Sequence, residues 1–394
     1  MKFKRFTKPQ FLKGVGRTLL TRLFDKFSAD LGAKKVELPK PDSGDDEYFK
    51  SLAAVAMKPD GLPDNLIEAL FAMEEMANDE GTERLQAAAE QAGLALSFDA
   101  KSSHGDVVMQ VYLAKPELLA EKHNEMRLLR LSSFEYFGNK EPKDCSATFT
   151  PPGENILALL VKDGDAWFKE HNRGHENTQI QVYLINGEIW FLIRHGDTFA
   201  RAAKLEQRKL EVIHFRPAKD DVVVYSPKRD ELRIHAGTKG ERELYRTAFG
   251  QRLKGDANYF LLRKAFTLEP LRELGIDALD VTGITGIDRI VLRELEIGFH
   301  NGFHESVIRR SDDIFAAAEA RGKEAIPAGG RLIRAAFDVY FTGCKKARTV
   351  HVRPPNVLKL GRHCDAALIN EWFTLRGFRV GMSDGELGLF TAAA

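Results

Sequence analysis

The chain has 394 residues, 43% of them apolar and 29% charged, a globular composition that excludes disordered and fibrous classes and suits two or three domains. Lys and Arg number 58 against 57 Asp and Glu, so a net charge of +1 leaves no global field to draw nucleic acid or a membrane surface. There is no apolar run long enough for a transmembrane helix. Cys145, Cys344 and Cys364 form an odd, scattered set, which argues against a disulfide scaffold and predicts a reducing, cytoplasmic setting.

The first 26 residues carry a charge of +7, and Phe11, Val15, Leu19, Leu23 and Phe27 recur every four residues within and just beyond them. This spacing predicts an amphipathic helix with one apolar stripe. Lys13, Arg17 and Arg22 interrupt any continuous apolar centre of the kind a secretory signal needs. A basic amphipathic helix also suits a transit peptide or a membrane surface, but the plainer expectation is a surface helix packed on its own domain. Residues 42–92 are the opposite, with thirteen acidic side chains against Lys50, Lys58 and Arg84. That net of −10 either offsets the basic helix within one domain or offers a face to a protein partner. Leu66, Leu70 and Met73 form one helical stripe and Leu85, Ala88 and Ala89 another, and a further helix is expected from Pro116 to Leu131. Residues 1–140 therefore read as a helical domain.

Beyond the Gly138–Pro142 loop the pattern changes. A helix over Gly153–Glu170 precedes short segments rich in β-branched and aromatic residues. Gln179–Ile185 and Glu188–Ile193 flank Asn186-Gly187, a strong two-residue hairpin signal. With Leu210–Phe215, Asp221–Tyr225 and Glu231–His235 they predict an antiparallel meander of about five strands, followed by a helix over Glu241–Leu253. Residues 141–264 thus read as an antiparallel sheet domain with flanking helices. In 265–394 the expectation is a mixed α+β region: strands over 289–299, 306–310, 331–341 and 349–353, a helix Asp312–Arg321 capped by Ser311, and a last helix Asp365–Arg376 ended by Gly377. The fold class expected is α+β, a helical N-terminal domain followed by an antiparallel meander and a second mixed region.

Three groupings could carry chemistry. Arg194-His195-Gly196-Asp197-Thr198 resembles the Arg-His-Gly signature of histidine phosphatases, and the resemblance implies that His195 attacks phosphorus while arginines hold the phosphate. It covers about ten residues, and here the motif lies mid-chain in a meander, with a strand following it rather than a long helix. His171 and His175, and again His300 and His304, share the pattern His-Asn-x-x-His-Glu. Histidines four apart can ligate Zn²⁺ from one helical face, although Gly174 and Gly302 favour loops. His195, His214 and His235, on successive expected strands, would join them if register aligned them. Asp221, with Glu231 and Arg233 on its hairpin partner, resembles the Asp…Glu-x-Lys core of metal-dependent nucleases, which hold Mg²⁺, except that arginine stands in place of lysine. The plainer reading of these charges is the wet face of an antiparallel sheet.

A binding signal comes from the C-terminal tract. Lys345, Lys346, Arg348, Arg353, Lys359, Arg362, Arg376 and Arg379 face only Asp365 and Glu371, a net of +6. Such clustering suits a phosphate backbone. Asn356–Leu360, the following turn and the last helix faintly resemble a helix-turn-helix, while Cys364, Leu368, Trp372 and Leu375 look like a buried stripe. Gly-rich phosphate loops, a Gly-x-Ser-x-Gly elbow and Cys-x-x-Cys are absent from the sequence. The expectation is a nucleic-acid-associated accessory or recognition protein with no catalytic centre and no cofactor of its own. A microbial multi-component system, such as one acting against foreign DNA, would suit it. The alternatives are a metal-dependent nuclease or phosphodiesterase built on the meander, and a protein-interaction scaffold.

Overall fold

A computed structural model describes residues 5–40, 43–57, 62–97, 102–131, 133–139, 150–206, 208–262, 264–299, 303–344, 346–360 and 365–380. The protein is α+β, and its chain forms two compact units, Met1–Leu128 and Leu129–Ala394. The first unit is helical: α1 Pro9–Lys13, α2 Arg17–Asp25, α3 Ser28–Ala33, α4 Asp45–Ala56, α5 Asp64–Met76, α6 Asp79–Gln91, α7 His104–Ala114 and α8 Pro116–Leu129. The single basic helix expected over Phe11–Phe27 is two short ones, α1 and α2, because the chain breaks at Gly14–Gly16, where the Gly16 N–H donates to Asp106 at 2.7 Å. Of its apolar stripe Val15, Leu23 and Phe27 are buried beside Leu66, Met73 and Leu85, Phe11 and Leu19 are only half-buried, and Leu12 and Leu20 are buried next to them. Part of the acidic stretch meets that helical entry directly. Lys13 pairs with Asp46 at 2.5 Å, Arg17 with Asp45 at 2.7 Å, and the Arg5 backbone N–H donates to Glu74 at 2.9 Å.

The second unit is built on one sheet. Its strands are β1 Ser133–Gly138, β2 Gln179–Ile185, β3 Glu188–Gly196, β6 Ala218–Ser226, β7 Glu231–His235, β8 Leu261–Leu262, β9 Ile287–Gly298, β10 Ser306–Arg310, β11 Arg331–Phe341, β12 Arg348–Arg353 and β13 Val357–Lys359. They run in the order β10-β9-β11-β12-β13-β1-β7-β6-β3-β2, with β8 beside β1, and every pairing is antiparallel. Residues on both sides of position 264 therefore share this sheet, and the seam is β1, a strand within the stretch expected to be helical. Between β3 and β6 lie β4 Ala200–Glu206 and β5 Lys209–Phe215, which pair only with each other. The expected five-strand meander is thus four sheet strands with a separate two-stranded ribbon. Asn356–Leu360 contains β13, so no helix-turn-helix forms there.

Helices cover the sheet on opposite faces in its two halves. On one face α9 Glu154–Glu170 and α10 Lys239–Lys254 pack against Phe191, Ile193, Val223 and Leu232. After α11 Pro270–Glu273 and α12 Ile314–Glu319, the last helix α13 Ala366–Leu375 covers the other half from the opposite face, Trp372 meeting Phe337 edge-on at 5.0 Å. The α12 cap is Asp313 rather than Ser311, its carboxylate accepting from the N–H groups of Phe315 and Ala316.

The β2–β3 hairpin forms with the expected turn. Asn186 and Gly187 both have positive φ, 53° and 75°, as a type I′ turn requires. Gly187→Ala should cost about 1–2 kcal/mol, the penalty of a left-handed conformation for a residue with a Cβ. A thermal melt that showed no loss would contradict this turn.

Candidate functional site

Two positions in the meander were expected at turns or on a wet face, and both are buried: Asp221 is 1% exposed and Glu231 2%. Alternation along the strands explains where each goes. Asp221 lies directly across from Ile193, two places along from the His195–Lys219 pair, so all four share the face covered by α9 and α10. Glu231 lies beyond Leu232, the partner of Tyr225, and so belongs to the opposite face, together with Arg233. It also sits across from Ser226, the far end of β6 from Asp221, about 16 Å away at the rise of an extended strand.

Around Asp221 is a closed polar cluster. His195 Nδ1 donates to the Gly196 carbonyl at 2.8 Å, and Nε2 faces Asp221 Oδ2 at 2.9 Å. A carbonyl only accepts, so Nδ1 carries a proton and a second proton lies between Nε2 and Asp221. The ring stacks on Phe168 with centroids 3.9 Å apart. Tyr245 donates to the same Asp221 oxygen at 3.0 Å. Burial, and then the Asp221 carboxylate, push the Tyr245 phenol well above its ordinary 10.0, so it remains a donor. Glu241, on α10, is fully buried; it accepts from Lys219 at 2.7 Å, from Arg173 at 2.9 Å and from the Thr238 N–H at 2.7 Å. Burial alone would raise its pKa, but Lys219 and the Thr238 contacts outweigh burial and hold the carboxyl below the usual range. Thr238-x-x-Glu241 is a capping box, a sequence signal that locates this helix start.

His195, Asp221 and Glu241 each offer an atom within 4.8 Å of the others. The donor set does not fit a metal, because its cation position is taken. Lys219 Nζ stands 2.7 Å from Glu241 and 3.4 Å from Asp221, and Arg173 adds a second positive charge. Nor does the histidine phosphatase resemblance survive. His195 is 1% exposed with both ring nitrogens engaged, and Arg194 points to the other face, bonded to Asp220 through Nε and a terminal nitrogen at 2.8 and 3.1 Å.

The other metal and nuclease groupings also come apart. Glu231 pairs with Arg379, and Arg233 with Glu188, in place of a shared Mg²⁺. His171 ends α9, donates from Nδ1 to the Trp167 carbonyl at 2.8 Å and stacks on Trp167. His175 follows in a loop set by Gly174 at φ 115°, so the pair has no common helical face. His304 is exposed at φ 53°, and His300 lies outside the described residues. His214 is on the ribbon, and His235 faces away from His195, bonded to the Ser133 carbonyl at 2.7 Å.

The basic tract divides. Arg348 points to the α13 side, where it pairs with Asp365 and lies over the Phe341 ring. Arg376 is held by Asp280 at 2.6 Å and Arg379 by Glu231. Lys345 and Arg362 fall outside the described residues. Lys346, Arg353 and Lys359 are exposed. Arg353 and Lys359 share the face of the sheet opposite α13, as diagonal neighbours about 7–8 Å apart, and Arg331 lines a cleft with Arg353. Elsewhere on that face Arg334 pairs with Glu294 at 2.6 Å, Arg310 with Glu294, and Arg293 with Asp338 at 3.2 Å, while Arg289 lies over the Tyr340 ring. Among the described residues, Arg331, Arg353 and Lys359 have no such partner. Burial, then Lys359 and Arg334, lower the His351 pKa below 6.5, so this histidine is neutral at pH 7 and leaves the charge to its neighbours. Among the described residues no helix is long and apolar enough to cross a membrane. No known protein family and no curated protein matches the chain.

Proposed function

We propose that the protein binds nucleic acid through its backbone phosphates and acts as a recognition or accessory component without a catalytic centre of its own. The observation that carries this reading is the trio Arg331, Arg353 and Lys359, exposed and without an ion pair among the described residues, on a sheet face where Arg293, Arg310 and Arg334 are each met by a carboxylate and Arg289 lies over Tyr340. Exposed, unpaired cations close together lose little on meeting a phosphate and release its counterions. The buried polar groups support the non-catalytic part, because the carboxylates and histidine of the meander are consumed by partners inside the fold.

The test is fluorescence anisotropy with a labelled random-sequence DNA duplex across a salt series, with Mg²⁺ present and the DNA inspected afterwards. The wild type should bind and leave the DNA intact. Arg331→Glu with Arg353→Glu and Lys359→Glu should weaken binding at least about tenfold and flatten the log–log salt slope by roughly 2.7, the contribution of three phosphate contacts. A wild type that fails to bind at low salt would sink the reading. Cut DNA would sink its non-catalytic part.

A further inference from the structure

The sheet strands β3 and β6 do not end in a turn. Beyond Gly196 and Ala218 they continue, through a hydrogen bond from the Asp197 N–H to the Pro217 carbonyl at 2.8 Å, into the β4–β5 ribbon. The root is clamped. Arg216 donates to the carbonyls of Asn172 and Asp197 at 2.8 and 2.7 Å, and Arg173 bridges Asp197 and Glu241 at 3.0 and 2.9 Å. Gly196 is required there, since a Cβ would come within 2.4 Å of the Arg173 carbonyl oxygen. The buried cluster thus has a mechanical role: it fixes the base of a projecting arm.

Past that root, β4 and β5 pair only with each other among the described residues. Every residue of β5 is exposed, and Leu205 and Leu210, opposed across the ribbon near its tip, are 74% and 70% exposed. Phe199, Ile213 and Phe215 add further exposed apolar area. An isolated two-stranded ribbon is marginal in water, and an exposed apolar patch with a polar rim marks a contact surface. Charge selects the occupant. Residues 199–216 hold Arg201, Lys204, Arg208, Lys209 and Arg216 against Glu206 and Glu211, a net of +3 in a chain whose whole net charge is +1. The side chains of Arg201, Arg208 and Lys209 have no ion pair among the described residues. Shape agrees, because seven residues per strand give an arm about 24 Å long, and a two-stranded ribbon is an element that a duplex groove about 12 Å wide admits.

We propose that the β4–β5 ribbon is a groove-binding arm for duplex nucleic acid. Arg201, Arg208 and Lys209 contact phosphates, and Leu205 and Leu210 seat against sugar and base edges in the groove. The inference rests on the nucleic-acid reading above and adds the mode of binding to it. Three variants test it in the same anisotropy assay, each checked for folding by thermal melt. Arg201→Ala with Arg208→Ala and Lys209→Ala should flatten the salt slope by up to about 2.7 and weaken binding about tenfold or more. Leu205→Ser with Leu210→Ser should weaken binding at every salt concentration with the slope unchanged, since apolar contacts release no counterions. Replacing residues 199–216 by Asn-Gly, which closes β3 onto β6 with a hairpin turn, should show both effects. Ribbon variants that bind the duplex with wild-type affinity and slope overturn the arm and leave the proposed function standing. Loss of binding by the wild type itself overturns both. If shortening the ribbon abolishes self-association in sedimentation and leaves DNA binding untouched, the arm is a protein contact and the inference is wrong.

Discussion

Glu241→Ala should lower the melting temperature of the protein by roughly 6–12 °C, corresponding to about 3 kcal/mol in a unit of this size. The carboxylate has no solvent exposure, so its removal leaves Lys219 and Arg173 facing each other across the space it filled. Breaking a buried pair costs about 3–5 kcal/mol. The low end applies here, because the Lys219 and Arg173 side chains keep 23% and 14% exposure and regain some hydration. The helix α10 also loses its capping box, since Glu241 accepts from the Thr238 N–H. The pH dependence has a definite sign. The folded pKa of Glu241 lies below its ordinary 4.5, so its contribution is complete above that value and is lost as pH falls through the folded pKa. Glu241→Gln should therefore flatten the acid limb of the stability–pH curve, measured by denaturant titration at a series of pH values. A variant as acid-sensitive as the wild type would show that Glu241 is not the group responsible. Because the cluster clamps the ribbon root, the same variant should also make proteolysis within 199–216 faster.

Trp372→Ala should cost about 3–5 kcal/mol, enough to destroy the packing of α13 on the sheet. The indole is fully buried and meets Phe337 at 5.0 Å, Phe378 at 5.2 Å and Phe373 at 4.8 Å, with Nε1 donating to the Ala278 carbonyl at 3.2 Å. Truncation removes the largest side chain of that cluster and leaves the carbonyl buried without a donor. Trp372→Phe keeps most of the ring contacts and loses the hydrogen bond, so it should cost only about 1–2 kcal/mol. Equal loss from both variants in urea melts would assign the effect to the hydrogen bond and contradict the packing account.

The sequence treats Trp372 and the buried carboxylates of the meander differently. Trp372 sits at helical spacing with Leu368 and Leu375, a pattern that points Trp372 inward, although those two leucines are half-buried and Ile369 and Phe373 are its buried neighbours on the helix. Asp221 and Glu231 looked like solvated charges, because alternate strand positions are often polar. Alternation shows which residues share a face, but it does not show that α9 and α10 cover one of those faces. The separation of Asp221 from Glu231 was within reach of the sequence. Pairing Tyr225 with Leu232 across the Pro227–Asp230 turn puts Asp221 and Glu231 on opposite faces at opposite ends. The strand β4 was missed because Ala-Arg-Ala-Ala-Lys-Leu-Glu holds no β-branched residue and only one large apolar side chain, so nothing local marks it as extended. Its partner β5, with Val212 and Ile213, was found.

By itself the sequence determined the α+β class, the Asn186-Gly187 hairpin, most strand and helix positions, and the inward stripes of the helices. All of these are set by turn chemistry and by periodicity over a few neighbouring residues. Only the tertiary structure decided that strands from 133–138, 179–196, 218–235 and 287–359 join one sheet, and that Arg348, Arg376 and Arg379 are spent on Asp365, Asp280 and Glu231. It alone left Arg331, Arg353 and Lys359 without an ion pair among the described residues and kept the ribbon strands out of the pairing of the large sheet. Pairing of charges and covering of faces depend on contacts between segments up to about 150 residues apart, and no window of sequence contains both partners.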